Sequence, residues 1–331
     1  MNASKLIIES LAGMGIDAIF GLPGVHALGL FNAVASSTMR YYGFRHEQAA
    51  AHAADGYGRA TGKPGVVLLS TGPGALNALS ALGEAYVCSS PVLAISSHIP
   101  SNLVGKGKGY LHESKDLGPA FSSVSAFHAR AKTAEEIPDL LADALIACTG
   151  GRPRPAFLEI PTDFLDSEVD QAPFAISPIP RGISPDEIEH AAFLLGLSAR
   201  PVIWAGGGVN RSRAWEELRK VAEILDAPVL TTFMGKGSIS EDHPLAVGTM
   251  VRQPETADLL GNADLMLAVG TRFTGMSTGN WKLSLPPQLI HIDIDVAEIG
   301  RNYPIRHGVK ADAKHALAAL AKALEGRQLA T

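Results

Sequence analysis

KPGVVLLSTGPGALNALSALGEAYVCSSPVLAISSHIP, from Lys63 to Pro100, is the stretch that decides the fold. Val66-Val67-Leu68-Leu69 is a continuous apolar run, as in a strand buried on both faces, and Gly72-Pro73-Gly74 closes it with a turn. ALNALSALGEAYVCS then reads as a helix, and PVLAISSHIP as a second strand with an almost unbroken apolar run. Strand, helix and strand in this order imply a parallel sheet covered by helices on both faces.

Working outward, the same alternation continues. Leu6, Ile7, Leu11 and Met14 recur at helical spacing, and AIFGLPG reads as a short strand entering a glycine turn. After PAFLEIPTDFLD the pattern stops. QAPFAISPIPRGISP carries Pro173, Pro178, Pro180 and Pro185 without periodicity and reads as a linker. The second half resumes with PVIWAGGGV, a helix around AWEELRKVAEILD, then APVLTTFMGKG, ADLMLAVGTRF and QLIHIDIDVAEI, and ends in an Ala-Leu-rich helix, ADAKHALAALAKALEG. The expectation is an α/β chain of two doubly wound parallel-sheet domains, 1–168 and 184–325, with a linker at 169–183 and a tail at 326–331.

With 331 residues, two domains are the natural first expectation. A composition of 46% hydrophobic and 18% charged residues is globular, and a net charge of -5 gives no basic footprint for nucleic acid. Cys88 and Cys148 are too few for a disulfide framework and fit reduced thiols in a cytoplasmic protein. Lys5 and Glu9 interrupt the apolar N-terminus, unlike a signal peptide, and no uninterrupted apolar run reaches the ~18 residues of a membrane span.

FRHEQAAAHAADGYGRATGKPGVVLLSTGPGALNAL, Phe44 to Leu79, carries the chemistry. It resembles the pyrimidine-binding domain of thiamine-diphosphate (ThDP) enzymes of the acetolactate synthase type. Phe20-Gly21-Leu22-Pro23-Gly24 fits that family's opening loop, Arg45-His46-Glu47-Gln48 its activating segment, and Thr71-Gly72-Pro73-Gly74 with Asn77 its next loop. The likeness continues through Thr232–Gly237, Gly270–Phe273 and Asp293-Ile294-Asp295. It implies that Glu47 hydrogen-bonds N1′ of the cofactor's aminopyrimidine, the contact on which loss of the thiazolium C2 proton depends, and that its carboxyl titrates above the ordinary value of about 4.3. Gly21, Pro23, Gly24, Thr71, Gly72, Pro73, Gly74 and Asn77 are the implied cofactor contacts. Taken alone, Glu47 reads as a solvated residue near a helix start, the glycines as turn residues, and Asn77 equally as an ordinary helix-terminal residue.

In acetolactate synthases a Phe-Gln-Glu triplet and a later lysine accompany substrate choice; here Leu111-His112-Glu113 and Ala126 stand in those positions. Val25, Leu111, His112 and Glu113 are the implied substrate contacts, and His112 faces the thiazolium as a proton relay, or else is a surface-loop histidine. A similar Leu-His-Glu is expected in decarboxylases of guanidino 2-oxo acids. The family's Mg²⁺ site needs Gly-Asp-Gly and an asparagine roughly thirty residues on. No Gly-Asp-Gly occurs here, so either a separate subunit supplies the metal and diphosphate site, most simply in a heterotetramer of two of each, or this sequence is a fragment of a longer chain.

The middle domain holds FAD in acetolactate synthases and ADP-like groups in some relatives. Gly206, Gly207, Gly208, Gly270, Arg272 and Asp293 are the candidate contacts. Thr274-Gly275-Met276 replaces the two acidic residues and arginine that follow Arg-Phe in FAD binders, which leaves FAD open, in a structural rather than redox part. The reaction implied is decarboxylation of a 2-oxo acid with transfer to an acceptor such as a second 2-oxo acid or a diketone. The alternatives are a simple decarboxylase and a non-catalytic nucleotide-binding or regulatory subunit. An NAD-dependent oxidoreductase is disfavoured, since no Gly-x-Gly-x-x-Gly follows a first strand with an acid about twenty positions on.

Overall fold

A computed structural model describes residues 1–176, 182–249 and 253–330. The chain divides into two compact units, Met1–Ile179 and Pro180–Thr331. In the first, β1 (Ala18–Gly21), β2 (Arg40–Gly43), β3 (Gly65–Leu69), β4 (Val92–His98), β5 (Phe127–Arg130) and β6 (Ala156–Pro161) form a sheet in the order β2-β1-β3-β4-β6-β5, every pair parallel.

Strand alternation divides the core between the two faces. Val66 and Leu68 join Leu6, Leu11, Leu30 and Leu141 of the helices Ala3–Gly13, Leu28–Ala35 and Ile137–Thr149. Val67 and Leu69 join Ala50, Ala54 and Leu82 of the helices Glu47–Thr61 and Leu79–Val87, with Phe121 stacked on Phe157. The alanines and glycines of Glu47–Thr61 allow the helix to lie close on the sheet. A Cβ on Gly65 would stand 1.9 Å from Ala54 O, and one on Gly58 2.8 Å from Pro91 O. Burial of Ala50, Ala51, Ala54 and Gly58, at helical spacing, follows from that approach.

The second unit repeats the plan with β7 (Pro201–Ala205), β8 (Val229–Thr231), β9 (Ala246–Gly248), β10 (Leu265–Val269), β11 (Gln288–Asp293) and β12 (His307–Lys310), ordered β12-β11-β10-β7-β8-β9 and again parallel. Helices Pro185–Gly196, Trp215–Leu225 and Ala313–Leu324 cover Ile203, Leu267 and Ile290. The opposite face buries Trp204, Met266 and Phe273 with Leu260 of the helix Pro254–Asn262. No described helix is long and apolar enough to cross a membrane.

Several details differ from the pattern read along the chain. The helix expected over 75–89 is two, Pro73–Asn77 and Leu79–Val87, because at Ala78 the N–H turns to Ala75 O at 3.0 Å, a tighter three-residue bond. Within the linker expected at 169–183, residues 177–181 lie outside the described residues; Val169 is buried, and the Phe174 N–H donates to Ser10 Oγ at 3.1 Å. Within the expected tail, the Ala330 N–H donates to Gly196 O at 3.1 Å.

Candidate active site

In the first sheet the strand order reverses between β1 and β3, and the carboxyl ends of two such strands open the crevice in which doubly wound folds bind ligands. The opening loop leaves β1 at Gly21. The second loop leaves β3 through Ser70 and Thr71 into Gly72-Pro73-Gly74.

Glu47 is the first residue of its helix and is only 7% exposed. His46 caps that helix, its Nδ1 accepting the Gln48 N–H at 3.2 Å. Asn77 Nδ2 donates to Glu47 Oε2 at 2.9 Å, which spans thirty residues of sequence and leaves Oε1 without a protein partner among the described residues. Gly74 stands directly against that free oxygen: a Cβ there would lie 3.1 Å from Glu47 Oε1 and 3.1 Å from Ser70 Cβ. Gly24 is more confined still: a Cβ there would lie 2.2 Å from Ser70 Oγ. Ser70 Oγ is buried with no hydrogen-bond partner among the described residues. A buried carboxyl with one oxygen bonded and one open, glycines that keep side chains off it, and an orphaned hydroxyl are what a polar aromatic ring would need.

Other expected contacts support the loops. Gly21 O accepts from the Tyr41 hydroxyl at 3.1 Å and the Phe44 N–H at 3.0 Å, while burial pushes the Tyr41 phenol above its usual range. Thr71 Oγ1 and Ser97 Oγ lie 2.9 Å apart, tying the loop to β4. Gly72, at φ +59°, adopts a left-handed conformation, and a Cβ there would lie 2.3 Å from His112 O. Pro73 begins the five-residue helix, and it and Pro23 are exposed.

That contact brings the loop of Leu111-His112-Glu113 onto the glycine turn. His112 itself is held at φ +62°, and Leu111 and Val25 are exposed at 57% and 72%. Glu113 turns inward: its carboxylate accepts the N–H groups of Gly107, Gly109 and Tyr110 at 3.0, 2.7 and 3.0 Å. Both oxygens are thereby spent on shaping the loop that carries His112.

His26 went unnoticed in the sequence, although it follows the opening loop directly. It is buried, its ring 5.7 Å from that of His112 and 5.7 Å from Tyr110, and its Nδ1 has no partner among the described residues. Burial and, secondarily, His112 hold its imidazole below the ordinary range. Position beside Val25 was the available signal. His98 and Glu159, a buried pair on β4 and β6, had none, since only the sheet brings them together.

The glycines of the second unit close on one another. The Gly206 N–H donates to Val269 O at 2.8 Å and the Gly208 N–H to Gly270 O at 3.0 Å. A Cβ on Gly206 would lie 2.1 Å from Gly270 O, and one on Gly207 2.9 Å from Met234 Cβ. These glycines therefore let the turns after β7 and β10 touch, and two of the three amides expected to approach a phosphate are bonded to protein. The Arg272 carbonyl accepts from Asn302 Nδ2 at 2.7 Å, and Asp293 Oδ1 accepts the Asp295 N–H at 2.9 Å. Among the described residues no three His, Cys, Asp or Glu side chains are grouped to hold a metal.

Comparison with known proteins agrees with this architecture. Residues 1–118 match the thiamine pyrophosphate enzyme N-terminal TPP binding domain, and residues 188–320 the thiamine pyrophosphate enzyme central domain. The chain is 39% identical to a probable acetolactate synthase large subunit of Methanocaldococcus jannaschii, over 98% of this chain and 56% of that protein. It is 38% identical to a probable 2-ketoarginine decarboxylase of Pseudomonas aeruginosa, over 97% and 57%, and 35% identical to the acetolactate synthase large subunit of Corynebacterium glutamicum, over 97% and 52%. The chain thus spans just over half the length of these relatives. With both matched segments falling on the two parallel-sheet units, the chain belongs to the thiamine pyrophosphate enzyme family, of which it carries the N-terminal and central domains.

Proposed function

We propose that this chain supplies the pyrimidine-activating half of a ThDP-dependent enzyme that decarboxylates a 2-oxo acid. The observation that carries the reading is Glu47, buried at a helix start, fixed through Oε2 by Asn77 and open at Oε1 beside Gly74. Thiamine diphosphate, when bound, supplies stabilisation of negative charge at the carbon that loses carboxylate. Glu47 holds a proton in a hydrogen bond with the aminopyrimidine edge, Asn77 orients the carboxyl, and Gly24 and Gly74 admit the ring. His112, with His26 beside it, donates or accepts a proton at the reacting end.

Mg²⁺ and the diphosphate are bound by groups these residues do not provide, since the sequence contains no Gly-Asp-Gly. We assign them to a diphosphate-binding domain outside these residues, brought together with this chain's first unit in the cytoplasm, on a separate subunit of a heteromer or on the same polypeptide. The likeness to a probable 2-ketoarginine decarboxylase favours a second reading of the outcome, in which the activated carbon is protonated rather than passed to an acceptor. FAD in the second unit, if bound, serves structure alone.

The test is to assemble the chain with such a domain, ThDP and Mg²⁺, and to follow CO₂ release from pyruvate and from 5-guanidino-2-oxopentanoate. ThDP-dependent release from either supports the reading, and product analysis separates an aldehyde from an acyloin. No release from any of a broad set of 2-oxo acids would reject it in favour of a non-catalytic subunit.

A further inference from the structure

A cleft of about 590 Å³ opens along edge strand β5, lined by Asp116, His128, Arg130, Lys132, Phe157 and Glu159 among others. None of these is a residue assigned above to the cofactor or substrate. His128, Arg130 and Lys132 alternate along and just beyond β5, so their side chains share one side of it. Phe157 and Glu159 come from the neighbouring strand β6, with Arg130 and Glu159 directly paired in register.

Cations at alternate positions of an edge strand have an ordinary purpose, to discourage pairing with another chain. Glu159 has no such explanation. It is 2% exposed, lines the cleft, and its Oε1 has no hydrogen-bond partner among the described residues. The nearby cationic candidate is His98 Nδ1 at 3.2 Å, itself buried and without a hydrogen bond, because the two are not aligned for one. A buried carboxyl oxygen without a donor is costly, so the site gains from any N–H that enters it. Across the cleft, Arg130 Nη1 stops 4.0 Å from Asp116 Oδ1, beyond hydrogen-bond length.

The cleft therefore presents one acceptor without a hydrogen bond among the described residues, Glu159 Oε1, a second carboxylate, Asp116, whose Oδ1 accepts the Gly118 N–H at 3.1 Å, and cationic donors within one cavity. A simple anion meets Asp116 and Glu159, and a simple cation meets Arg130 and Lys132; a molecule carrying both charges satisfies both. The volume falls within the ~300–1,000 Å³ of small-molecule sites. We infer that this cleft binds a free α-amino acid, its ammonium donating to Glu159, its carboxylate held by Arg130 and Lys132, and its side chain against Phe157.

The experiment is calorimetry on the whole chain without ThDP, so that its outcome is independent of the part given to Glu47. The probes are the proteinogenic amino acids, with propionate, propylamine and inorganic phosphate as single-charge controls. At least one amino acid should bind with a Kd below about 1 mM and about tenfold more tightly than any control. Arg130→Gln and Glu159→Gln should each weaken it about tenfold or more. Glu159→Gln can disturb the buried pair with His98, so Arg130→Gln, at a partly exposed position, decides the matter if the first variant melts early. Absence of binding by every amino acid, indifference to Arg130→Gln, or equally tight binding of propionate or phosphate, which would make this an anion site only, each overturns the inference.

Discussion

Replacing Glu47 by Gln separates the chemical role of this side chain from its structural one. Glutamine keeps the size and one carbonyl oxygen, so Asn77 Nδ2 retains an acceptor where it now bonds Oε2 at 2.9 Å. The structural loss is then the difference between a hydrogen bond to a carboxylate, ~1.5–3 kcal/mol, and a neutral one, ~0.5–1.5 kcal/mol, or about 1 to 1.5 kcal/mol. For a unit the size of Met1–Ile179 this lowers the melting temperature by about 2–6 °C. The chemical loss is larger. Removing a positioned proton donor or acceptor costs about 10²–10⁴ in rate, or ~2.7–5.5 kcal/mol of barrier. Initial rates of 2-oxo acid decarboxylation by the assembled enzyme, with calorimetric melting of the same preparation, read both quantities. A rate within about tenfold of the parent would refute the role assigned to Glu47. A fall in melting of more than about 10 °C would instead trace the lost activity to collapse of the loop.

Three further expectations follow from the same geometry. Asn77→Ala leaves Glu47 Oε2 unbonded and should lower the rate by roughly tenfold to a hundredfold, less than Glu47→Gln, with CO₂ release as the readout; an equal or larger loss contradicts the ranking. Gly72→Ala meets both a φ of +59° and a carbonyl 2.3 Å away, so it should cost about 1–3 kcal/mol by chemical denaturation and shift the NMR signals of His112; unchanged stability argues against the close packing of these two loops. Burial raises the Cys148 thiol to about 12, so the folded state keeps a proton that the unfolded state releases above about 8.5. Stability held below that pH is lost as pH rises towards the folded value, at up to ~1.4 kcal/mol per pH unit from this group, and Cys148→Ala should flatten the decline in melting temperature between pH 8 and 10.

The two parallel sheets were legible because their central strands are apolar on both faces. Val66 to Leu69 and Leu265 to Val269 feed cores on either side, so they read as unbroken runs. Edge strands β2 and β5 were not legible. All four residues of β2 are exposed, and in β5 the charged and polar members face the cleft, so neither run nor alternation marks them. The glycines at 24, 72 and 74 and the carboxyl at 47 stood out through the family resemblance of their segments, since by themselves they read as turn residues and a solvated carboxyl.

What that pattern could not contain is contact across the fold. Asn77 as the partner of Glu47 and His112 O as the neighbour of Gly72 link residues thirty or more positions apart, and only the order β2-β1-β3-β4-β6-β5 brings them together. The same holds for His98 with Glu159, brought together by the pairing of β4 with β6. Residue type and spacing determined by themselves that this chain folds as two doubly wound units and where its glycine turns fall. Which donor meets which acceptor was decided by tertiary structure alone, because hydrogen bonding depends on distance and direction, and the chain acquires both only when its sheets close.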